Sequence, residues 1–207
     1  MGFKVFLLGM IGLATSTLCQ AQPESGESET PFYIGGNGGS THFSDDGLYP
    51  DGLVDKSDSQ WSVYAGYRLT PKLSVELNYS DLGVYYHNVL PGAYLYIYSN
   101  EYRVLSGIGK LTHSINERVD VFAKGGLGLV SLEQDVRFSS GTKAVFDSLG
   151  FNFYLGVGGA FNITPRLSLY ALMDVNFYEV EAKNLWGTSD YYLQAISSTS
   201  IGMEYDF

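Results

Sequence analysis

Cysteine is almost missing from this sequence. The only one, Cys19, lies in an N-terminal stretch with the parts of a secretory signal: Lys4, a mostly apolar run over 6–18, and small residues ending at Ala21. We therefore predict a cleaved signal peptide over residues 1–21, with lipoprotein processing at Cys19 as the alternative. Cleavage after Ala21 would leave a mature chain without thiol chemistry, exported beyond the inner membrane.

Basic residues are also scarce. Lys and Arg total 12 against 22 Asp and Glu, a formal net charge of −10. Removing Lys4 with the signal gives −11 (11 basic minus 22 acidic). No basic patch is present, which excludes nucleic acid as a partner. Docking on lipopolysaccharide would need local Lys and Arg or bridging divalent cations. Residues 22–30 are polar and acidic, and we predict a flexible segment there.

Long hydrophobic runs are absent after the N-terminus, which excludes a transmembrane helix in the mature chain. Aromatic residues and glycine are plentiful instead, with 17 Tyr, 12 Phe and 25 Gly. This composition favours many short strands over helices. Eight segments alternate with a period of two and are predicted as strands: 31–43, 60–69, 72–83, 100–112, 117–132, 145–163, 166–178 and 192–207.

The third segment shows the alternation most clearly. Leu73, Val75 and Leu77 are apolar, whereas Ser74 and Glu76 between them are small or charged. Small and charged side chains suit the narrow interior of eight strands, so we expect the apolar faces to contact lipid. Connections alternate between long and short, as in outer-membrane barrels. The predicted fold is all-β: an eight-stranded antiparallel up-and-down transmembrane β-barrel over residues 31–207.

The C-terminal residues alternate in the same way and end on an aromatic side chain, with no tail after it. Phe207, Tyr205 and Met203 are apolar, and Asp206 and Glu204 between them are charged. This ending resembles the C-terminal assembly signal of bacterial outer-membrane proteins. The resemblance implies that Phe207, Tyr205 and Met203 are read by the barrel-assembly machinery.

Four further motifs extend this resemblance over the chain from about Phe32: FYIGGNGG, GYRLTPKLSVELNYSDLG, VDVFAKGGLGL and GVGGAFNITPRLSL. With their order and spacing, the chain resembles the OmpA-type eight-stranded transmembrane domain and its OmpX/Ail-like relatives. The resemblance implies a location in the bacterial outer membrane, in contact with its lipid and lipopolysaccharide. The peptidoglycan-binding domain of the OmpA type is absent, so we expect no anchoring to the cell wall.

The resemblance also implies a cluster of interior charges, proposed in the family to gate a narrow pore. Glu76, Lys110 and Lys124 occupy matching places. The family's gating Arg and its acidic partner fall at Tyr170 and Ala160, so half of the gate is missing. The simpler interpretation is that the candidate interior charges, with Asp174 added, neutralise one another. Strand four could present Lys110 on either of its faces.

The sequence indicates no catalytic, cofactor-binding or metal-binding residue. The histidines are His42, His87 and His113, and Ser40 lies on the same face of strand one as His42. Nucleophilic catalysis needs a base beside the nucleophile and a group that orients that base, and no such Ser/His/acid pattern is recognisable. The aspartates of the first external loop match no calcium-binding signature.

The predicted second external loop, 84–99, is rich in tyrosine. Its candidate surface-binding residues flank Pro91-Gly92: Tyr85, Tyr86, Tyr94, Tyr96 and Tyr98. Tyrosine suits protein recognition, and a hairpin continuing above the membrane is the alternative. We predict a structural or cell-surface interaction (adhesin-like) role through the external loops, with a surface protein as a possible partner. The alternatives are a narrow low-conductance pore and, ranked below it, a lipid-modifying enzyme.

Overall fold

The computed structural model describes residues 31–44, 56–89, 96–138, 141, 143–183 and 189–207. Eight antiparallel strands close into a barrel in which each strand pairs with its neighbours in sequence and β8 pairs with β1. No helix within these residues has the length and apolar character needed to cross a membrane. The predicted fold class is confirmed. The strands are β1 (Phe32–Ser44), β2 (Ser57–Arg68), β3 (Leu73–Val89), β4 (Tyr96–Asn116), β5 (Val119–Phe138), β6 (Lys143–Thr164), β7 (Leu167–Lys183) and β8 (Ser189–Asp206).

The register of the pairing defines the stagger of the strands. Following directly opposed residues from Ile34 once around the barrel leads back to β1 at Ser44. The shear is therefore ten residues (44 − 34), and strands of such a barrel tilt by about 40°. From each strand to the next, the directly opposed residue lies about 1.25 residues (10/8) further toward the end of the barrel where β1 ends. This offset determines which side chains lie at the same height along the barrel axis.

Alternate residues of each strand face opposite sides of the wall. Leu77 is 61% exposed on the outside, whereas Glu76 and Asn78 on either side of it are buried in the interior. Apolar side chains cover the outside in the same manner on every strand, from Phe32 on β1 to Tyr205 on β8. The apolar face therefore points outward, as the sequence predicted.

Short turns join β2 to β3, β4 to β5 and β6 to β7, and this end of the barrel is called the turn end. Two of these turns repeat one Thr-Pro motif, in which the hydroxyls of Thr70 and Thr164 accept the N–H of Leu73 and Leu167, both at 3.0 Å. The third turn lies slightly later than the predicted 113–116, because β4 continues to Asn116.

At the opposite end, called the hairpin end, the strands extend beyond the predicted boundaries. β3 continues to Val89, β4 begins at Tyr96 and β5 continues to Phe138. The predicted loops 44–59, 84–99, 133–144 and 179–191 are therefore too long. The cause is that alternation of apolar and small residues marks only the part of a strand that contacts lipid, whereas backbone pairing continues above it.

A β-bulge redirects β3 where it leaves the apolar band. The register shifts between Asp81 and Val84, and Gly83 has a φ of +92°, which favours glycine. The carboxylate of Asp58 on β2 accepts the N–H of Val84 at 2.6 Å and holds the bulge in place. As a result Leu82 and Tyr85, three residues apart, both point into the barrel and are buried.

Candidate functional site

Two buried carboxylates organise the interior near the turn end. The first, Glu76 on β3, accepts hydrogen bonds from Lys124 Nζ at 2.7 Å and from the hydroxyl of Tyr33 at 2.9 Å. Lys110 Nζ lies 3.9 Å from the same carboxylate. A buried charge is tolerated when it is paired and hydrogen-bonded. Strands β1, β3, β4 and β5 therefore converge on Glu76.

The second carboxylate is Glu204 on β8. It accepts hydrogen bonds from Lys110 Nζ at 2.6 Å, from the hydroxyl of Tyr64 at 3.0 Å and from Arg68 at 3.4 Å. Arg68 also forms an ion pair with Asp206. The three acidic and three basic side chains balance in formal charge. We call this set the ion network: Glu76, Glu204, Asp206, Arg68, Lys110 and Lys124.

Aromatic rings enclose the two lysine ammonium groups. Lys124 Nζ lies 4.4 Å from the ring centroid of Tyr64, and Lys110 Nζ lies 5.1 Å from the centroids of both Tyr33 and Phe122. A cation over an aromatic face is attracted by the ring quadrupole, more strongly where water is excluded. The rings therefore stabilise the lysines and fill the space between them.

The structure brings Glu76, Lys110 and Lys124 together and places Lys110 on the inward face of β4. Asp174, the fourth candidate, lies apart from them. It accepts a hydrogen bond from Asn176 at 3.4 Å and forms no ion pair within the described part of the chain. Sequence reasoning missed Glu204 as the second acidic partner, although its inward position in the β8 alternation was a usable signal.

The positions of the two missing gate residues are filled without charge. The Tyr170 ring packs edge-on against Phe122 with centroids 6.0 Å apart, and its hydroxyl accepts a hydrogen bond from Asn37 at 3.2 Å. Ala160 packs against the same cluster of rings. The remaining charges of the ion network thus come from β2 (Arg68) and β8 (Glu204 and Asp206). In the family's gate they would come from β6 and β7.

A second, apolar cluster fills the interior toward the hairpin end. Among its rings, Phe43 and Tyr85 have centroids 5.3 Å apart, and Tyr102 and Tyr178 have centroids 5.0 Å apart. The sequence predicted an interior filled by small polar groups and ion pairs. That prediction is incomplete, because it did not include this apolar cluster. We call this cluster the apolar plug: Phe43, Leu82, Tyr85, Tyr102, Val104, Val130, Leu132, Tyr178 and Ile196.

The barrel interior contains a cavity at the turn end. A cavity of about 510 Å³ is lined by residues of the turns and by Arg68, Lys110 and Glu204 of the ion network. Further inside, beside Asn78 and Lys124, a gap of about 10 Å³ remains, which is room for one water molecule at most. This cavity therefore forms a vestibule at the turn end, with side chains of the ion network in its lining.

The tyrosines of the predicted second loop do not form one group. Tyr85 is fully buried in the apolar plug, so its predicted place on the surface is wrong, and the bulge at Gly83 is the reason. Tyr86 is 49% exposed. Tyr96 and Tyr98 lie on β4, opposite Val89 and His87, and Tyr94 lies outside the described residues.

His42 lies on the outer face of β1 near the hairpin end. Its Nδ1 is 3.4 Å from the hydroxyl of Ser57 on β2, and no carboxylate contacts it within the described residues. His113 is exposed near the turn end, on the outer surface of β4. His87 lies on β3 opposite Tyr98.

The residues of the predicted assembly signal line the outer surface where the barrel closes. Met203 and Tyr205 lie opposite Gly36 and Ile34 on β1 and point outward. The Phe207 N–H donates to the carbonyl of Phe32 at 3.3 Å, and its ring packs edge-on against Tyr205. The signal peptide, 1–21, and the acidic segment, 22–30, lie outside the described residues.

Comparison with solved structures returns other barrels of this kind. Neisserial surface protein A (NspA) is similar with a TM-score of 0.56 and 17% identity, over 87% of this chain and 100% of that one. A major outer membrane protein of Thermus thermophilus gives 0.54 and 15%, over 85% and 99%. Ail of Yersinia pestis, solved with the heparin analogue sucrose octasulfate, gives 0.51 and 15%, over 87% and 100%. These likenesses show the fold.

Comparison with curated protein sequences gives no match. The family model described as outer membrane protein beta-barrel domain, in contrast, matches residues 11–207, which is most of the chain. In barrels of the outer membrane the short turns face the periplasm and the longer connections face outside. The turn end is therefore periplasmic and the hairpin end external, and the chain belongs to the outer membrane protein beta-barrel domain family.

Proposed function

We propose that this barrel is a cell-surface interaction protein, adhesin-like in its role, which presents a sheet above the membrane. The observation that carries the proposal is that the strands continue past the apolar band: β3 and β4 pair up to Val89 and Tyr96, and β5 and β6 pair up to Arg137 and Lys143. We call this the external wall: residues 84–89, 96–103, 131–138 and 143–149.

Buried side chains pack against the inner face of the external wall, and apolar side chains are exposed on its outer face. Val136 is buried, and Lys143 pairs with Asp135 at 2.7 Å across the β5–β6 hairpin. On the outer face of β6, Leu149 is 68% exposed and Val145 is 49% exposed. Apolar side chains at this height have no lipid tails to contact, and exposed apolar groups on a rigid support favour protein binding.

One edge of the external wall presents backbone groups. Pairing of β2 with β3 ends at Trp61 and Asp81, whereas β3 remains paired with β4 up to Val89. Within the described residues, β3 from Val84 to Val89 therefore has a strand partner on one side only. Such an edge can accept an extended segment of another protein by strand addition.

The charge of the chain favours a protein partner over a polyanion. The formal net charge is −10, and an exposed pair of Glu101 and Arg103 sits at the foot of the wall. The Ail structure contains a heparin analogue, but an acidic surface repels sulfated ligands. We expect an extended, neutral or basic protein segment at the edge of β3.

The test is to shorten the β3–β4 hairpin by joining Tyr86 to Ser99, which lie directly opposite each other, through an Asn-Gly turn. The control shortens the β7–β8 hairpin in the same way between Ala182 and Asp190, also opposite each other. Cells with matched amounts of heat-modifiable barrel are then assayed for adhesion and for capture of surface proteins. Loss of binding in the first variant alone is expected, and equal binding by both would refute the proposal.

A narrow pore is the second candidate, favoured by the vestibule of about 510 Å³ at the periplasmic end. Conduction through it would require opening of both the ion network and the apolar plug. Planar-bilayer recordings of the refolded protein test this. A conductance that rises in Glu76→Gln would support a pore, and no conductance in either protein would count against it.

Export and assembly complete the proposal. Residues 1–21 are proposed as the cleaved signal peptide, supported by their composition. Met203, Tyr205 and Phe207 are proposed as the residues read by the assembly machinery, supported by their outward position on the closing strand. A lipid-modifying role is not proposed, because the comparisons with NspA and Ail favour surface proteins.

A further inference from the structure

The outer face of β6 carries apolar side chains up to and above the edge of the lipid-facing band. Leu149 is 68% exposed and Phe151 is 78% exposed. With the stagger of about 1.25 residues per strand, Leu149 is level, to within about one residue, with Glu133 on β5 and Glu179 on β7. Carboxylates that point outward among lipid tails are costly. Leu149 therefore lies above the hydrocarbon, and Phe151, directly opposite Glu179, lies at its boundary.

The carboxylates around these apolar side chains have no cationic partner. No ion pair in the described part of the chain involves Glu133, Asp147 or Glu179, and the basic side chains Arg103 and Lys143 pair with other carboxylates. Glu133 lies directly opposite Asp147, and like charges in opposed positions repel each other. We call this surface the β6 face: Glu133, Asp147, Leu149, Phe151 and Glu179.

The spacing of the β6 face matches an α-helix with an apolar stripe between two basic flanks. Leu149 and Phe151 are two residues apart on one strand, about 7 Å, and form the apolar centre. Glu133 and Glu179 lie on the strands to either side of β6, about 10 Å apart, because neighbouring strands are about 4.8 Å apart. The diameter of a helix is about 10 to 12 Å. A helix lying along β6 would therefore place basic side chains of both its flanks beside carboxylates.

We propose that the β6 face binds a cationic amphipathic helical peptide at the membrane surface. The proposal rests on the proposed role of the external wall as an interaction surface, and adds a site separate from the edge of β3. Basic amphipathic helices concentrate at the interface between membrane and water, and the β6 face begins where the lipid-facing band ends. Apolar contact with Leu149 and Phe151 supplies affinity, and the flanking carboxylates orient the peptide.

Other occupants satisfy only one part of the β6 face. In a symmetric dimer the same patch is present on both subunits, so the carboxylates of two copies would face each other. A polyanion would be repelled by the same charges. A neutral apolar ligand would remove carboxylates from water without giving them partners, which is costly. A basic amphipathic peptide matches both the apolar centre and the acidic flanks.

The test uses the mature protein refolded in phosphatidylcholine nanodiscs, whose lipid carries no net charge. The probe is a fluorescein-labelled amphipathic helix of Leu and Lys, about 14 residues long, which spans the face. The control peptide has the same residues in strict alternation, a pattern that favours a strand. Fluorescence anisotropy measures binding, with empty nanodiscs as the blank. The wild type should bind the helical peptide about tenfold more tightly, a difference equivalent to the burial of about two CH₂ groups.

Two variants of the β6 face test its two parts. Leu149→Ser should weaken binding of the helical peptide about fivefold, because part of the apolar centre is lost. Asp147→Asn should weaken it about threefold, as expected for loss of one exposed charge pair. The matched controls are Ile115→Ser and Glu117→Gln, because both side chains are exposed at the turn end. Both controls should bind like the wild type, and heat modifiability verifies that every variant is folded.

Equal binding of the two peptides by the wild type would overturn the proposal, as would unchanged binding in Leu149→Ser or an equal loss in the controls. The variant with the shortened β3–β4 hairpin, which tests the proposed function, should bind the peptide like the wild type. The two proposals can therefore fail separately, and loss of peptide binding in that variant would assign the peptide to the edge of β3 instead. Efficient disulfide cross-linking of Leu149→Cys barrels in peptide-free vesicles would overturn the proposal in favour of a second copy.

Discussion

Tyr33 on β1 packs against Gly66, the residue directly opposite it on β2, so closely that a Cβ atom on Gly66 would overlap the ring. The interior repeats this arrangement of an aromatic ring over a directly opposed glycine. The other three pairs are Tyr64 with Gly35, Phe122 with Gly158 and Tyr170 with Gly202. Glycine thus provides the space in which the rings around the ion network lie.

Gly66→Ala should therefore destabilise the barrel by about 1–3 kcal/mol, because the Tyr33 ring must move and its hydrogen bond to Glu76 is strained. Gly107→Ala is the control, since a Cβ at the outward-facing Gly107 has no atom within 4 Å, and its effect should be within about 0.5 kcal/mol. Urea titrations of barrels folded into vesicles measure both. Similar costs for the two variants would contradict the close contact between the Tyr33 ring and Gly66.

Glu76→Gln should cost about 3–5 kcal/mol, because it leaves the buried Lys124 without its closest anion. Removing both charges with Glu76→Gln and Lys124→Met should cost less than the single change. Glu101→Gln, in the exposed pair with Arg103, serves as a control and should cost at most about 1 kcal/mol. The same unfolding titrations apply. A negligible effect of Glu76→Gln would show that water, and not Glu76, compensates the lysine.

Leu77→Arg should destabilise the barrel by about 2–4 kcal/mol, because Leu77 lies near the middle of the lipid-facing band. Leu149→Arg is the same change on the external wall, where the side chain is 68% exposed and an arginine can reach water, so about 0–1 kcal/mol is expected. Refolding yields and urea titrations compare them. Equal tolerance would place the membrane boundary elsewhere on β6.

Deleting the Phe207 ring with Phe207→Ser should lower the amount of folded barrel in cells while leaving secretion intact. Phe32→Ser is matched to it, since Phe32 is another exposed aromatic at the same end of the barrel, where β8 closes against β1. Both variants should refold alike into vesicles of purified lipid, where no assembly machinery acts. A cellular defect of equal size in Phe32→Ser would indicate that Phe207 contributes lipid contact and not recognition.

The sequence predicted the membrane-embedded half of this structure well because that half obeys one strong constraint. Lipid on one side and a narrow lumen on the other force apolar and small residues to alternate, and this placed Glu76 inside and Leu77 outside. The sequence did not predict how far the strands extend above the lipid. There both faces of the sheet are free to be polar, and the alternation fades although pairing continues to Val89.

The interior could be predicted less completely, because it depends on register. Glu204 and Lys110 are far apart in sequence and meet only through a shear of ten residues that no local pattern specifies. The burial of Tyr85 depends on one extra residue at a bulge. Gly83 is present in the sequence, but a single glycine does not show that a bulge forms there. The sequence therefore does not show which residues after Gly83 face the interior of the barrel.

The continuity of β3 and β4 from the membrane into the external wall has a mechanical consequence. A partner held at the hairpin pulls both strands lengthwise, and the hydrogen bonds to β2 and β5 then carry the load side by side in shear. Hydrogen bonds that are loaded in parallel must break together. Hydrogen bonds between two strands that are peeled apart from one end break one at a time. When a cell is tethered through this hairpin, we therefore expect the bound protein to dissociate before the barrel unfolds.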